Sequence, residues 1–96
     1  MAGPLTRSVR VRIYGMVQGV WFRACTVREA RSRGLDGWVR NRADGSVEAV
    51  FAGAAASVAD MIEACRVGPP AASVTRIDED AESRAVAGGF HQKPDC

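Results

Sequence analysis

Apolar and polar residues alternate along two stretches of the chain, the pattern typical of strands that bury one face. The apolar residues are Val9, Val11 and Ile13 in the segment Ser8–Tyr14, and Val47, Ala49 and Phe51 in the segment Ser46–Ala52. Successive side chains of a strand point to opposite faces, so each set falls on one side of its strand. We therefore predict two strands, each with one face turned to a hydrophobic core.

Two longer segments repeat their packing residues at helical spacing. The first is Phe22–Arg33, which places Arg23, Thr26, Val27 and Ala30 at i, i+3, i+4 and i+7 and is ended by Gly34. The second is Ala55–Val67, whose stripe consists of Val58, Met61, Ile62 and Cys65 and which is stopped by Gly68-Pro69-Pro70. Residues at these intervals share one face of a helix. We predict two helices, each packed through one face.

Two further strands complete the expected order. Gly37–Arg42 is the second strand, and Asp44-Gly45 forms the hairpin turn into the third. Ser73–Asp78 is a fourth, less regularly patterned strand. The order βαββαβ is typical of an α+β, ferredoxin-like sandwich, in which an antiparallel sheet carries two helices on one face. The 96 residues fit one domain, residues 1–96, with a core at about 8–80 and a polar segment from about Ala81.

Composition and charge limit the binding partners and the cellular compartment that we expect for this protein. The net charge of +2 gives no domain-wide basic surface for nucleic acid. Met1–Arg10 contains no apolar run, so neither a signal peptide nor a membrane span is expected. Cys25, Cys65 and Cys96 form an odd set without metal-ligand spacing, which favours a reducing cytoplasmic setting. We expect a cytoplasmic monomer, with Cys25 and Cys65 acting as small apolar residues on their helices.

The segment Gly15–Arg23 joins the first strand to the first helix and carries two glycines. Glycine adopts positive φ at little steric cost, so successive backbone N–H groups can converge on one point. The helix adds its own unpaired N–H groups and the positive end of its dipole. Arg23, in the first helical turn, supplies a planar fork of donors. The segment predicts a cradle for an oxyanion, above all phosphate. The alternatives are a simple tight connection and an arginine whose stem covers apolar surface.

Asn41 stands at the end of the face that Leu35 and Val39 share in the second strand. Asparagine in this position is often a turn residue that caps a hairpin. Its side chain is also a neutral donor and acceptor that can hold a water molecule or a substrate oxygen. The spacing alone leaves both interpretations open.

Two segments resemble the defining motifs of the acylphosphatase family. They are Gly-Met-Val-Gln-Gly-Val-Trp-Phe-Arg at 15–23 and Gly-Trp-Val-Arg-Asn-Arg-Ala-Asp-Gly-Ser-Val-Glu at 37–48. The similarity runs from about Val9 to Ile77 and includes Gly68-Pro69 and Ala72-x-Val74 after the second helix. Both motifs are long and occur in the family's order and separation, so chance does not explain the match.

The resemblance implies a small hydrolase that cleaves the carboxyl–phosphate anhydride of acylphosphates to a carboxylate and inorganic phosphate. The family's catalytic arginine falls on Arg23 and its catalytic asparagine on Asn41. Its phosphate-binding loop falls on Gly15, Met16, Val17, Gln18, Gly19 and Val20, with Arg23 beside it. A small-molecule acylphosphate is the expected substrate, and inorganic phosphate or sulfate is an expected ligand. We expect the residues of the two motifs to bind the phosphoryl end of the substrate, so they do not specify its acyl group.

The chain departs from the family at two places. Arg33 stands where an apolar residue is expected before Gly34-Leu35, which predicts thin packing at the end of the first helix. The family's closing strand is apolar, whereas Phe90 is the only apolar residue of 88–93, so we do not expect a regular strand there. Neither departure touches the predicted site.

The chemistry expected from these residues uses no metal and no cofactor. The loop amides and Arg23 hold the phosphoryl group, and Asn41 aligns the attacking water. A substrate phosphate oxygen takes the proton of that water, as the resemblance suggests, since no general base stands in the motifs. We expect His91 to be solvated in the C-terminal segment. We expect Asp36, Asp44 and Glu48 to have turn or surface roles rather than a catalytic one.

Two functions from other classes remain as alternatives. A ferredoxin-like RNA-binding module needs aromatic residues on the exposed face of its central strands. Here the first strand offers Tyr14 and the third offers Phe51, whose face is predicted to be core. A non-catalytic anion sensor would keep the cradle without needing Asn41. The presence of both Arg23 and Asn41 favours the hydrolase.

Overall fold

The structure, a computed structural model, describes residues 5–95, so Cys96 and the start of the segment Met1–Arg10 lie outside it. Its elements are β1 (Thr6–Met16), α1 (Phe22–Ser32), β2 (Asp36–Asn41), β3 (Val47–Ala54), α2 (Ala55–Val67), β4 (Ser73–Ala81) and β5 (Phe90–Gln92). The bounds of α2 are those predicted. The strands β1, β3 and β4 run a few residues further than predicted, because backbone pairing continues beyond the alternating apolar residues.

The five strands form one sheet in the order β4-β1-β3-β2-β5. β1 pairs antiparallel with β3 and β4, and β2 pairs antiparallel with β3. β5 pairs parallel with β2, so the sheet is mixed rather than purely antiparallel. The predicted ferredoxin-like α+β arrangement is confirmed, with β5 added at its edge. β1, β2 and β5 run in one direction, and their C-terminal ends therefore lie at the same end of the sheet.

The hydrophobic core lies on the face of the sheet that the helices cover. The register pairs Val9 with Phe51, Val11 with Ala49 and Ile13 with Val47, so the two predicted apolar sets lie side by side and are buried. α1 packs against β2 and β5, and α2 packs against β1, β3 and β4. The predicted stripe of α2 is buried, and burial raises the pKa of the Cys65 thiol to about 12. This thiol is a core residue.

Arg33 links the two helices through polar contacts. Its Nε donates to Asp60 Oδ2 at 2.8 Å and its Nη1 donates to Glu29 Oε1 at 3.0 Å. Glu29 belongs to α1 and Asp60 to α2, so the guanidinium bridges the helices where thin packing was expected. A bridge between charged groups replaces the apolar contact at this end of α1.

The segment after Ala81 returns to the sheet. Phe90 is buried and its ring stacks on Phe51, with centroids 5.6 Å apart. The Lys93 N–H donates to the Val39 carbonyl at 2.8 Å, which ties the segment to β2. The expectation that no regular strand forms here was therefore wrong. One buried aromatic ring and the backbone hydrogen bonds to β2 hold β5 in place without an apolar sequence.

The two edges of the sheet differ in character. β4 forms one edge and carries four charged residues, Arg76, Asp78, Glu79 and Asp80, all of them exposed. β5 forms the other edge and is three residues long. No helix within residues 5–95 is long and apolar enough to cross a membrane.

Candidate active site

A cleft of about 350 Å³ opens where β1, β2 and β5 end and α1 begins. Its lining residues are Val17, Gly19, Trp21, Phe22, Arg23, Ala24, Asn41 and Gln92. Four of the predicted site residues, Val17, Gly19, Arg23 and Asn41, are thus brought together at one end of the sheet. Two segments that are separate in sequence, 15–23 and 37–48, meet there because β1 and β2 run in the same direction on either side of β3.

The loop 17–21 follows directly from β1. Gly19 has a φ of 73°, in the left-handed region that glycine adopts without strain. Val17 is buried and anchors the start of the loop in the core. Gln18 holds the loop to the β2–β3 hairpin, since its Nε2 donates to the carbonyls of Arg42 (2.8 Å) and Ser46 (2.9 Å). With this side chain engaged in two bonds, the group that Gln18 offers to an anion is its backbone N–H.

Gly15 and Met16 belong to β1 rather than to the loop. They pair with Val74 and Ser73 of β4 across a local register shift. A Cβ at Gly15 would lie 2.1 Å from the Ser73 carbonyl oxygen, so this glycine permits the close approach of the two strands. Gly15 and Met16 do not line the cleft, and nor do Gln18 and Val20, of which Val20 packs against the core.

The first turn of α1 faces the cleft without a side-chain cap. Trp21 is the N-cap residue and makes no side-chain hydrogen bond to the helix start, and the first turn contains no acidic residue. The first N–H groups of a helix have no intrahelical partner, and the helix dipole places partial positive charge beside them. An anion seated in the cleft would meet both the backbone donors and this charge.

Arg23 contributes the positive side chain of the cleft. Its guanidinium is partly exposed, and Nη1 donates to Asp95 Oδ1 at 2.9 Å. Asp95 lies three residues beyond β5, so the C-terminal segment brings a carboxylate to the arginine that was predicted to bind phosphate. A carboxylate and a phosphate both satisfy a guanidinium with paired oxygens. The contact therefore indicates an arginine that is accessible to anions.

Asn41 is the last residue of β2 and lines the same cleft. The residue is 8% exposed, and its Oδ1 is buried without a hydrogen-bond partner among residues 5–95. Leaving a buried acceptor unsatisfied costs about 1–3 kcal/mol, and native proteins rarely tolerate it without a reason. A donor entering the cleft, such as a water molecule, would satisfy this oxygen.

Glu48 fixes the strand end that carries Asn41, a role that its sequence position did not reveal. It is 2% exposed, and its Oε1 accepts hydrogen bonds from Arg40 Nε (2.9 Å) and Arg42 Nη1 (3.1 Å). Burial by itself raises the pKa of Glu48, but the hydrogen bonds and charges of the two arginines outweigh it and leave the pKa below its usual value. These arginines flank Asn41 on both sides. The surface role expected for Glu48 was wrong, and the cross-strand pairing of Arg40 with Glu48 is the signal that sequence reasoning missed.

The other acidic residues and the histidine lie outside the cleft. Asp44 accepts a bond from the Ser46 N–H at 3.0 Å and from its hydroxyl, which lowers the pKa of Asp44 and forms the predicted turn. The Asp36 carboxylate accepts from the Gly89 N–H at 2.9 Å. His91 is exposed, as expected. Among the described residues, no three His, Cys, Asp or Glu side chains lie close enough together to hold a metal ion.

Sequence comparisons relate most of the chain to one family. A family model described as acylphosphatase matches residues 9–92. A protein of Rhizorhabdus wittichii named acylphosphatase is 60% identical over 85 residues, which cover 88% of this chain and 86% of that protein.

Solved structures give the same relationship. An acylphosphatase from Coxiella burnetii superposes with a TM-score of 0.87 at 31% identity, over 92% of this chain and 93% of that one. The acylphosphatase from Bacillus subtilis superposes with a TM-score of 0.86 at 33% identity, over 93% of this chain and 99% of that one. The helix α1, which carries Arg23, and the strand β2, which carries Asn41, thus belong to an architecture shared with these proteins.

Proposed function

The chain belongs to the acylphosphatase family of hydrolases, and we propose that the cleft between loop 17–21, Arg23 and Asn41 is the site where it hydrolyses acylphosphates. The observation that carries this assignment is that Asn41, whose buried Oδ1 has no hydrogen-bond partner among residues 5–95, lines the same cleft as Arg23. An anion-binding group and a free acceptor on one cleft suit a reaction between a phosphoryl group and water.

The loop and Arg23 bind the phosphoryl group in this proposal. The backbone N–H groups of residues 17–20 and the start of α1 provide neutral donors, and the guanidinium of Arg23 provides the charge. The residues that lie in β1 contribute by fixing the position at which the loop begins. Since the phosphoryl oxygens redistribute charge in the transition state, donors held in place before the reaction stabilise it electrostatically.

Asn41 positions the attacking water. Its Oδ1 accepts a hydrogen bond from the water, which orients a lone pair of the water oxygen toward phosphorus. The water attacks phosphorus, the bond from phosphorus to the acyl oxygen breaks, and the carboxylate leaves with the electron pair of that bond. The proton of the water passes to a phosphate oxygen. A carboxylate is a good leaving group, so the reaction needs neither a protein acid nor a metal ion.

The proposal extends to ligand, compartment and assembly. Inorganic phosphate, the product, and sulfate occupy the phosphoryl position as competitive ligands. The protein works in the cytoplasm, a reducing setting that the two unpaired thiols of Cys25 and Cys65 favour, and it works there as a monomer.

The test is the hydrolysis of benzoyl phosphate, compared with p-nitrophenyl phosphate as an ordinary monoester. We expect turnover of benzoyl phosphate, little turnover of p-nitrophenyl phosphate, and no change after treatment with EDTA.

Two variants test the residues of the cleft. Arg23→Ala weakens phosphate binding and lowers kcat, because the arginine binds the phosphoryl group in both the ground state and the transition state. Arg84→Ala, which removes an exposed arginine, is the charge-matched control. Asn41→Ala lowers kcat about 100-fold with the Ki for phosphate retained.

Three outcomes would contradict parts of this assignment. Loss of turnover with EDTA would contradict the metal-free mechanism. Near-normal kcat in Asn41→Ala would reduce the asparagine to a hairpin residue. Equal losses in Arg23→Ala and Arg84→Ala would show that a general charge effect, rather than the cleft, governs activity.

A further inference from the structure

Trp21 lines the cleft and has a backbone conformation that residues with large side chains rarely adopt. Its φ is 66°, and it is the only non-glycine residue between 5 and 95 with a positive φ. A bulky side chain in the left-handed region is strained, and glycine or asparagine would be better tolerated there. Backbone strain of this kind concentrates at functional sites. The backbone at position 21 therefore gives no reason for a tryptophan.

The indole does not stabilise the fold through packing. Trp21 is 82% exposed. Within the described chain, no hydrogen bond and no aromatic or cation–π contact holds its ring. Burial of apolar surface is what makes a large side chain stabilising, and this ring contributes almost none. Neither the backbone conformation nor packing within the described chain explains a tryptophan at position 21.

Trp21 lines both the candidate active site and a second hollow. The cleft that holds Arg23 and Asn41 includes Trp21 in its wall. A hollow of about 390 Å³ is lined by Trp21, Ala24, Cys25 and Arg28 of the α1 side, and by Gly68-Pro69-Pro70 after α2. Ala24 borders both spaces as well, so the two spaces share two neighbouring lining residues.

We propose that Trp21 forms the acyl-binding side of the active site and selects acylphosphates whose acyl group carries an aromatic ring or an apolar group of similar size. The proposal rests on the proposed function, in which the phosphoryl group sits against loop 17–21 and Arg23. The acyl group then leaves the cleft past Ala24 and lies on the exposed face of the indole. Offset stacking on that face buries apolar surface that both partners otherwise expose to water.

The indole contacts the part of the substrate that does not react, so its contribution is the same in the ground state and in the transition state. Such uniform binding lowers KM and leaves kcat unchanged. A substrate with a methyl group in place of the ring gains little from it. The effect of Trp21 should consequently appear as a difference between substrates rather than as a general loss of activity.

The experiment compares benzoyl phosphate with acetyl phosphate in Trp21→Gly, which removes the ring and suits the left-handed backbone. We expect the KM for benzoyl phosphate to rise about tenfold, equivalent to about 1.4 kcal/mol, with kcat unchanged. The KM for acetyl phosphate and the Ki for inorganic phosphate change much less than the KM for benzoyl phosphate, because neither ligand carries a group that stacks on the indole. Trp21→Phe, which keeps an aromatic face, restores most of the affinity for benzoyl phosphate. Val67→Ala, an exposed apolar position at the end of α2, is the control and changes neither KM.

The outcomes separate this inference from the proposed function. An active parent whose Trp21→Gly variant changes equally on both substrates, or on neither, overturns the role of Trp21 alone. A parent that hydrolyses neither substrate overturns the proposed function, and this inference falls with it. A thermal melt of Trp21→Gly at or above the parent midpoint confirms that the variant is folded.

Discussion

The side chain of Asp95 is the nearest anion to Arg23, at 2.9 Å from Nη1. Its carboxylate is 62% exposed, so the pair is held in a largely aqueous environment and contributes at most about 1 kcal/mol. A phosphoryl group that approaches the same guanidinium meets this carboxylate as a competitor of like charge. At the scale of the residue, we therefore expect the affinity of the proposed site for anions to depend on Asp95 as well as on Arg23.

Asp95→Asn should tighten the binding of inorganic phosphate. Removing the competing charge frees the guanidinium, and we expect the Ki for phosphate to fall about twofold to fivefold, the range of an exposed ion pair. Asp80→Asn, an exposed carboxylate on β4, makes the same change of net charge away from the cleft and should have no such effect. Inhibition of benzoyl phosphate hydrolysis at matched ionic strength measures both. A weaker or unchanged Ki in Asp95→Asn would show that the carboxylate orders Arg23 rather than competing for it.

At the scale of the element, the β2–β3 hairpin depends on a buried carboxylate. Glu48 lies between two arginines whose side chains are partly exposed, while it is itself almost fully buried. Its pKa is lowered in the folded protein, so its ionised form contributes stability at pH values above the ordinary glutamate pKa of about 4.3. That contribution is lost as the pH falls through the lowered pKa of the folded state.

Glu48→Gln should lower the free energy of unfolding at pH 7 by about 1–3 kcal/mol, because two positive groups lose their charged acceptor. The difference from the parent should begin to shrink below the ordinary glutamate pKa of about 4.3 and should be lost as the pH falls through the lowered pKa of Glu48 in the folded state. Urea unfolding between pH 3 and pH 7 measures it. Glu63→Gln removes an exposed carboxylate paired with Arg66 on α2 and should cost less than about 0.5 kcal/mol. A difference for Glu48→Gln that stays constant with pH would exclude the ion-pair explanation.

The elements whose apolar residues repeat at regular intervals were predicted well, and the features that were missed have physical causes. The stripe of α2 and the alternation in β1 and β3 follow from local spacing, and so their burial was foreseen. β5 was missed because a single ring, Phe90, anchors it, and its partner Phe51 lies far away in sequence. Glu48 was missed because its burial depends on pairing across the hairpin, which a one-strand pattern does not reveal.

The site also contains residues that the sequence predicted and residues that it did not. Arg23 and Asn41 lie in motifs long enough to identify, and the structure places both on one cleft. Gln92 lines that cleft and Asp95 contacts Arg23 because β5 pairs with β2. Nothing in the sequence around these two residues predicts that position. Trp21 was visible within its motif, but its exposure and positive φ are properties of the folded loop.

At the scale of the whole molecule, the strand that precedes the loop and the helix that follows it are both packed into one core. The donors of the site are thus gathered by folding and dispersed by unfolding. An anion that binds the folded site stabilises the native state according to its concentration and dissociation constant. The stability of the whole protein therefore reports on a site of a few residues.

Inorganic phosphate at one hundred times its dissociation constant should raise the free energy of unfolding by about 2.7 kcal/mol. Thermal melts in phosphate, matched in ionic strength with chloride, measure the shift. Arg23→Ala should lose most of it, whereas Arg84→Ala, which removes an exposed arginine outside the cleft, should keep it. Equal shifts in all three proteins would mean that phosphate acts as a general salt.

The charged edge strand β4 has a consequence for concentrated solutions of the protein. An edge strand presents unpaired backbone groups to which a strand of another molecule can add, the first step of intermolecular sheet growth. A second β4 laid parallel to the first and in register would bring the carboxylates of Asp78, Glu79 and Asp80 close to those of its neighbour, and like charges across paired strands repel. At the opposite edge, β5 offers three residues, too short a template for stable pairing. Both borders of the sheet thus resist fibril nucleation, one by charge and the other by length.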